Sequence, residues 1–160
     1  MRCSAGNWCA LAATTETACV PGTYSNALGL TVDTECYPCA EGFVCEASGI
    51  TDLTGLECPA EFYCGSAVAA AADAVACEAG KYCPANSIQG IPCVQGTYQP
   101  KTQKDTCIGC EQGFFCDFMY SLGALPSQKV ECLTGHECPD LTMSRPNPCG
   151  PGYYQDTAGL

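Results

Sequence analysis

Seventeen cysteines in 160 residues are the side chains here whose number and spacing carry chemistry. Cysteines crosslink, ligate metals or exchange electrons. Cys36-Tyr37-Pro38-Cys39 and Cys107-Ile108-Gly109-Cys110 have the C-x-x-C form of a zinc or redox half-site. A structural zinc would need both pairs in one place, yet about seventy residues separate them and further cysteines intervene. Redox catalysis would need a helix after the C-x-x-C, and here a Gly turn follows. His136 is the single histidine and lies in a short loop, so no nucleophile has an imidazole base. Paired carboxylates need a cleft to separate their pKa values, and no segment has the bulk to build one. The chain is therefore expected to have no catalytic residue, no cofactor and no metal, and not to be an enzyme.

Crosslinking remains, and the elements that must position the sulfurs are legible as a repeat. The pattern of Cys, two residues, Gly and then aromatic positions, as in Cys39-Ala40-Glu41-Gly42-Phe43-Val44-Cys45, opens at Cys3, Cys19, Cys39, Cys58, Cys77, Cys93, Cys110, Cys132 and Cys149. These nine openers stand 16 to 22 residues apart. Gly follows three residues on in every repeat except at Glu61. Five residues on stand Trp8, Tyr24, Val44, Tyr63, Tyr82, Tyr98, Phe115, Glu137 and Tyr154. A Gly soon after a crosslinked Cys permits positive φ and a tight reversal. The ring that follows can cover the sulfurs, which makes each repeat a crosslinked turn with one aromatic as its core. Glu61, and His136-Glu137 in place of an aromatic, predict either looser turns or positions used for contacts.

Six openers meet another Cys six residues later: Cys3 and Cys9, Cys39 and Cys45, Cys58 and Cys64, Cys77 and Cys83, Cys110 and Cys116, Cys132 and Cys138. Two repeats close late, Cys19 with Cys36 and Cys93 with Cys107, each closer three residues before the next opener. This pairing leaves Cys149 alone because the sequence stops before its closer. A pairing shifted by one, with Cys9 to Cys19 and Cys36 to Cys39, satisfies the same count and strands Cys3. The first is preferred because it gives both long repeats one form, C-x-x-G-T-Y running to Asp-Thr before the closer.

Composition requires the crosslinks. Leu, Ile, Val and Phe together number 26, too few for an ordinary core, and with a net charge of −11 the chain would be disordered without disulfides. Closing loops of this size contributes about 2 to 3 kcal/mol each in the chain-entropy model. Such bonds last in oxidising compartments, which predicts a secreted or cell-surface location. Met1-Arg2 runs straight into a repeat and no apolar run reaches membrane-span length, so the chain is expected to be a piece of a longer protein, cut within an array. Six Lys and Arg among 17 acidic residues disfavour nucleic acid and anionic lipid. No spacing supports a calcium loop.

The predicted fold is therefore a linear array of small disulfide-rich repeats, made of short β-hairpins and loops with little regular secondary structure and no single large core. Its parts are 1–18, a partial short-loop repeat; 19–76, repeats two to four; 77–131, repeats five to seven; and 132–160, repeats eight and nine with the last truncated. Strands of two to four residues are expected around Gly22–Ser25, Gly96–Gln99 and Gly152–Gln155. The Ala-rich stretch 67–76 allows one short helical turn. Phe118, Met119, Tyr120 and Leu122 form the most apolar spacer and a candidate contact patch.

The segments Cys19-Val20-Pro21-Gly22-Thr23-Tyr24-Ser25 through Cys39 and Cys93-Val94-Gln95-Gly96-Thr97-Tyr98 through Cys110 resemble the cysteine-rich repeats of the ephrin-receptor-like class. That pattern is related to tumour-necrosis-factor-receptor and EGF-like modules. Long arrays of this kind resemble those of large surface proteins of ciliates and algae, including mastigoneme-type filaments on cilia. The resemblance implies an extracellular structural or adhesive role, no catalysis and frequent glycosylation. No N-x-S/T sequon is present, so sugars would sit on spacer hydroxyls such as Thr14, Thr15 and Thr17. The expected function is a structural segment of a fibre, ciliary filament or surface coat, with self-association or other extracellular structural proteins as partners. A ligand-binding or adhesion array is the alternative.

Overall fold

A computed structural model describes residues 2–117, 127–154 and 156–159. Among them the chain forms seven two-stranded antiparallel hairpins and two short 3₁₀ turns, with no closed sheet and no large core. The candidate patch Phe118, Met119, Tyr120 and Leu122 lies outside the described residues.

Every strand is two residues long, and the placement has one rule. The two residues after the turn Gly pair with the two residues before the next opener. Thus β1 (Asn7–Trp8) pairs with β2 (Thr17–Ala18), and β3 (Thr23–Tyr24) with β4 (Tyr37–Pro38). Next come β5 (Phe62–Tyr63) with β6 (Val75–Ala76), and β7 (Lys81–Tyr82) with β8 (Ile91–Pro92). The last three are β9 (Thr97–Tyr98) with β10 (Ile108–Gly109), β11 (Phe114–Phe115) with β12 (Val130–Glu131), and β13 (His136–Glu137) with β14 (Asn147–Pro148). In the third repeat the same pairing survives as the single bridge Phe43 to Glu57. Pro fits at the strand position before an opener because a two-stranded ribbon is all edge and needs no ladder N–H there.

The expected strands at Thr23–Tyr24 and Thr97–Tyr98 form, whereas Tyr153 and Tyr154 make none. Within 67–76 the helical turn is Ala71–Asp73. The turn at Glu61 keeps φ +75 and is no looser than its glycine counterparts, and His136-Glu137 continues a regular strand.

Two compact units divide the chain, the first made of 1–75 with 85–89 and the second of 76–84 with 90–160. In each, burial centres on sulfur: twelve of the bridged cysteines are 0 to 1 % exposed. The apolar clusters are small. In the first unit Val44 packs on Cys58, Cys64 and Val68. In the second Tyr98 packs on Cys110 and Cys116, and Phe115 on Cys132 and Cys138. Val44, Tyr98 and Phe115 thus cover the disulfide of the following repeat, while Phe62 and Phe114 pack against the clusters that hold their own. Since one ring alone is a poor core, sharing it across a joint buries both faces.

Candidate functional site

The structure joins Cys3 to Cys9, Cys19 to Cys36, Cys39 to Cys45 and Cys58 to Cys64 in one series. It joins Cys77 to Cys83, Cys93 to Cys107, Cys110 to Cys116 and Cys132 to Cys138 in the next. Cys149 carries a free thiol and is half-buried. Both C-x-x-C motifs are split between different bridges, since Cys36 bonds Cys19 while Cys39 bonds Cys45, and Cys107 bonds Cys93 while Cys110 bonds Cys116. The sulfurs of Cys3 and Cys9 lie within 4.8 Å of a Glu16 carboxylate oxygen. Both are spent in a disulfide, which removes the thiolate that a metal would need.

What the crosslinked turns position is a joint between successive repeats, built from backbone groups. The opener N–H donates to the Gly carbonyl of the preceding repeat, from Cys19 to Gly6 at 2.8 Å through Cys149 to Gly135 at 3.0 Å, at seven joints. That turn Gly gives its own N–H to the carbonyl six residues past the next opener, as in Gly22 to Cys45 at 2.8 Å and Gly113 to Cys138 at 2.9 Å. The residue at this sixth position donates its own N–H onward to the following repeat, as in Cys45 to the Val68 carbonyl at 2.9 Å. Finally the opener carbonyl accepts from a residue nine or ten places into the next repeat, as in Gly49 to Cys19 at 2.9 Å and Thr142 to Cys110 at 2.8 Å. These bonds give buried backbone groups at each joint the partners that burial requires.

That fourth donor was not legible in the residue types. Ala12, Gly29, Gly49, Ala67, Asn86, Gln103, Thr142 and Gly159 all have left-handed φ between +53 and +86, though only three are Gly. The carbonyls of Gly49, Ala67, Asn86, Thr142 and Gly159 press against turn glycines two repeats back. A Cβ on Gly96 would fall inside 3.0 Å of the Thr142 carbonyl, and one on Gly113 inside 3.0 Å of the Gly159 carbonyl. Repeats therefore touch their next-but-one neighbours as well as their nearest ones.

In the two long repeats the sixth position is Ser25 and Gln99, 0 % and 1 % exposed, where the short repeats place a closing Cys. Gln99 Nε2 donates to the Thr106 carbonyl at 2.8 Å, and its Oε1 accepts from Lys101 N–H at 3.2 Å. The side chain ties the long loop down where sulfur does so elsewhere.

Charged groups staple loops at the surface. Glu35 accepts from the Thr31 N–H at 2.5 Å and from the Val32 N–H at 3.3 Å, and the Thr31 bond chiefly holds its pKa below the ordinary value. Glu16 accepts from the Ser4 hydroxyl at 2.5 Å and the Ser4 N–H at 3.0 Å, which lowers its pKa likewise. Lys129 pairs with Glu111, which raises the lysine pKa, and its ammonium sits 3.9 Å from the centre of the Phe114 ring. Arg145 Nε lies 3.5 Å from Oδ2 of the buried Asp117. His136 is half-buried in β13, with Nδ1 3.2 Å from the Thr134 carbonyl. Thr14, Thr15 and Thr17 are exposed.

An open cavity of about 440 Å³ is lined by Val44, Leu56, Pro59 and Ala71 with Glu46 and Glu57 at its side. Glu46 is engaged with the Ala71 N–H at 2.5 Å. No described helix is long and apolar enough to cross a membrane. The chain is a cysteine-rich repeat array, and neither a known family model nor a curated protein sequence matches it.

Proposed function

We propose that the chain is a structural segment of an extracellular cysteine-rich repeat protein, serving a fibre, a ciliary filament or a surface coat, and that it is not an enzyme. The observation that carries this reading is the uniformity of the joint: the same opener-to-glycine bond recurs at seven joints, at 2.7 to 3.0 Å. A chain that spends its backbone groups on one repeated contact is suited to transmitting position and resisting proteolysis. Eight disulfides in place of a core belong in an oxidising compartment, which supports secretion or display on the cell or cilium surface. We keep the ephrin-receptor-like type as part of the proposal, on the residues that resemble it. Self-association or other extracellular structural proteins are the proposed partners, with glycans on spacer hydroxyls such as Thr14.

Electron microscopy of native material, labelled with an antibody to this chain, tests the reading. Label along regular filaments or a coat is the expected result. Label on dispersed particles that bind a separate ligand would favour an adhesion array and refute the structural role.

A further inference from the structure

We propose that the joint between the third and fourth repeats is a docking site for a basic segment of a partner protein, which anchors there by one aromatic side chain placed beside a Lys or Arg. The inference goes beyond the filament or coat role and does not depend on it.

Val44 is the one aliphatic residue at the position five past an opener, where seven of the nine repeats carry a ring. The cavity of about 440 Å³ opens beside it, walled by Val44, Leu56, Pro59 and Ala71. The first joint shows what a ring does at the same place. There Trp8 stands at the fifth position, Val20 follows the next opener as Pro59 does, and Asp33 begins the 3₁₀ turn as Ala71 does. These three line a space of about 260 Å³. Equivalent positions thus bound both spaces, and the one with an isopropyl group in place of the indole is the larger. Val44 packs inward on Cys58, Cys64 and Val68, so its side chain does not fill the outer part of the cavity. Two repeats precede this joint and five follow it in the sequence, which makes the opening a property of the joint itself.

Charge selects the occupant. Glu46 and Glu57 stand at the side of the cavity, and among the described residues neither forms an ion pair. Backbone N–H groups of the cavity wall hold both: Glu46 Oε1 accepts from the Ala71 N–H at 2.5 Å, and Glu57 Oε1 from the Gly55 N–H at 3.4 Å. A carboxylate retains acceptor capacity beyond one such bond, so each presents negative charge at the mouth. An apolar hole rimmed by two carboxylates, in a chain of net charge −11, complements a ring next to a cation and draws a basic segment towards it. A second copy does not offer that combination, since the exposed rings Tyr37, Tyr153 and Tyr154 adjoin no Lys or Arg in sequence. The open mouth suits an anchor side chain carried on a polypeptide, whereas a free small molecule needs a pocket that encloses most of its surface.

The test is a titration of the oxidised 160-residue chain, its eight bridges verified by mass, with the peptide N-acetyl-Lys-Phe-Lys-amide, followed by amide NMR. Saturable shifts confined to 44–58 and 71–73 are expected. Replacing the peptide's Phe by Ala, or both its Lys by Glu, should weaken binding by about tenfold or more. Val44→Phe restores the ring and should weaken binding by a similar factor, about tenfold, in a chain whose bridges and whose shifts over 3–36 are unchanged. Glu57→Gln keeps an acceptor for the Gly55 N–H, reads the charge independently, and should weaken binding about threefold. No saturable shift, shifts centred elsewhere, or undiminished affinity in folded Val44→Phe would each overturn the docking site. Phenethylamine bound as tightly as the peptide would overturn the polypeptide occupant in favour of a free aromatic amine. All of these outcomes leave the array reading intact, which falls instead if the thiols of the native protein are reduced.

Discussion

Gly96 and Gly135 adopt the same turn with the same sign of φ and differ only in what approaches them. A Cβ on Gly96 would collide with the Thr142 carbonyl two repeats away, whereas one on Gly135 meets open space. Gly135→Ala should therefore cost only the left-handed penalty, about 1–2 kcal/mol. Gly96→Ala should cost that amount plus the displacement of a backbone segment, and comparison of the two by chemical denaturation isolates the close approach. Equal losses would mean that the next-but-one contact contributes nothing. The turn glycines themselves were plain in the sequence because only their residue type permits the conformation cheaply. The second left-handed position was hidden, since at Ala67, Asn86, Gln103 and Thr142 it accompanies a bond to the previous opener and not a residue type that favours it.

At the scale of the element, the loops are held by single side chains. Gln99→Ala would leave the Thr106 carbonyl and the Lys101 N–H unpaired beside a buried site, with an expected loss of about 1–3 kcal/mol. Faster amide exchange confined to 99–107 would report it. Glu35 and Glu16 have folded pKa values held below the ordinary glutamate value of about 4.3. Their contribution is present above that value and is lost as pH falls through the lower, folded pKa. Melting at decreasing pH below about 4.3 should therefore loosen the turn at Asp33–Glu35, and Glu35→Gln should show faster exchange of Thr31 and Val32 amides already near neutrality. Unchanged exchange in that variant would remove the staple from the account. The hairpins were legible as short strands after each turn Gly, but not their pairing with the two residues before the next opener. Two-residue strands such as Thr23–Tyr24 have no periodicity to reveal a partner, and register comes from the crosslinked turn alone.

For the molecule as a whole, stability is spread over joints and not gathered in a core. Tyr98 packs on the disulfide of the next repeat, so Tyr98→Ala should raise amide exchange across 93–148 and leave 19–58 unaffected. Exchange rising everywhere would point to one cooperative core instead. The overall class was readable from cysteine arithmetic because opener spacing, turn glycines and following rings agree at nearly every repeat. The joint was not, because its donors and acceptors are backbone groups that every residue possesses.

The central claim is that sulfur bridges within each repeat stand in for a hydrophobic interior. A disulfide map of the native protein, by proteolysis under non-reducing conditions and mass spectrometry, tests it most directly. The account predicts eight intrachain bridges, each from an opener to the next cysteine, with Cys36 linked to Cys19 and not to Cys39. Bridges shifted by one cysteine, free thiols, or cysteines occupied by a metal would contradict it.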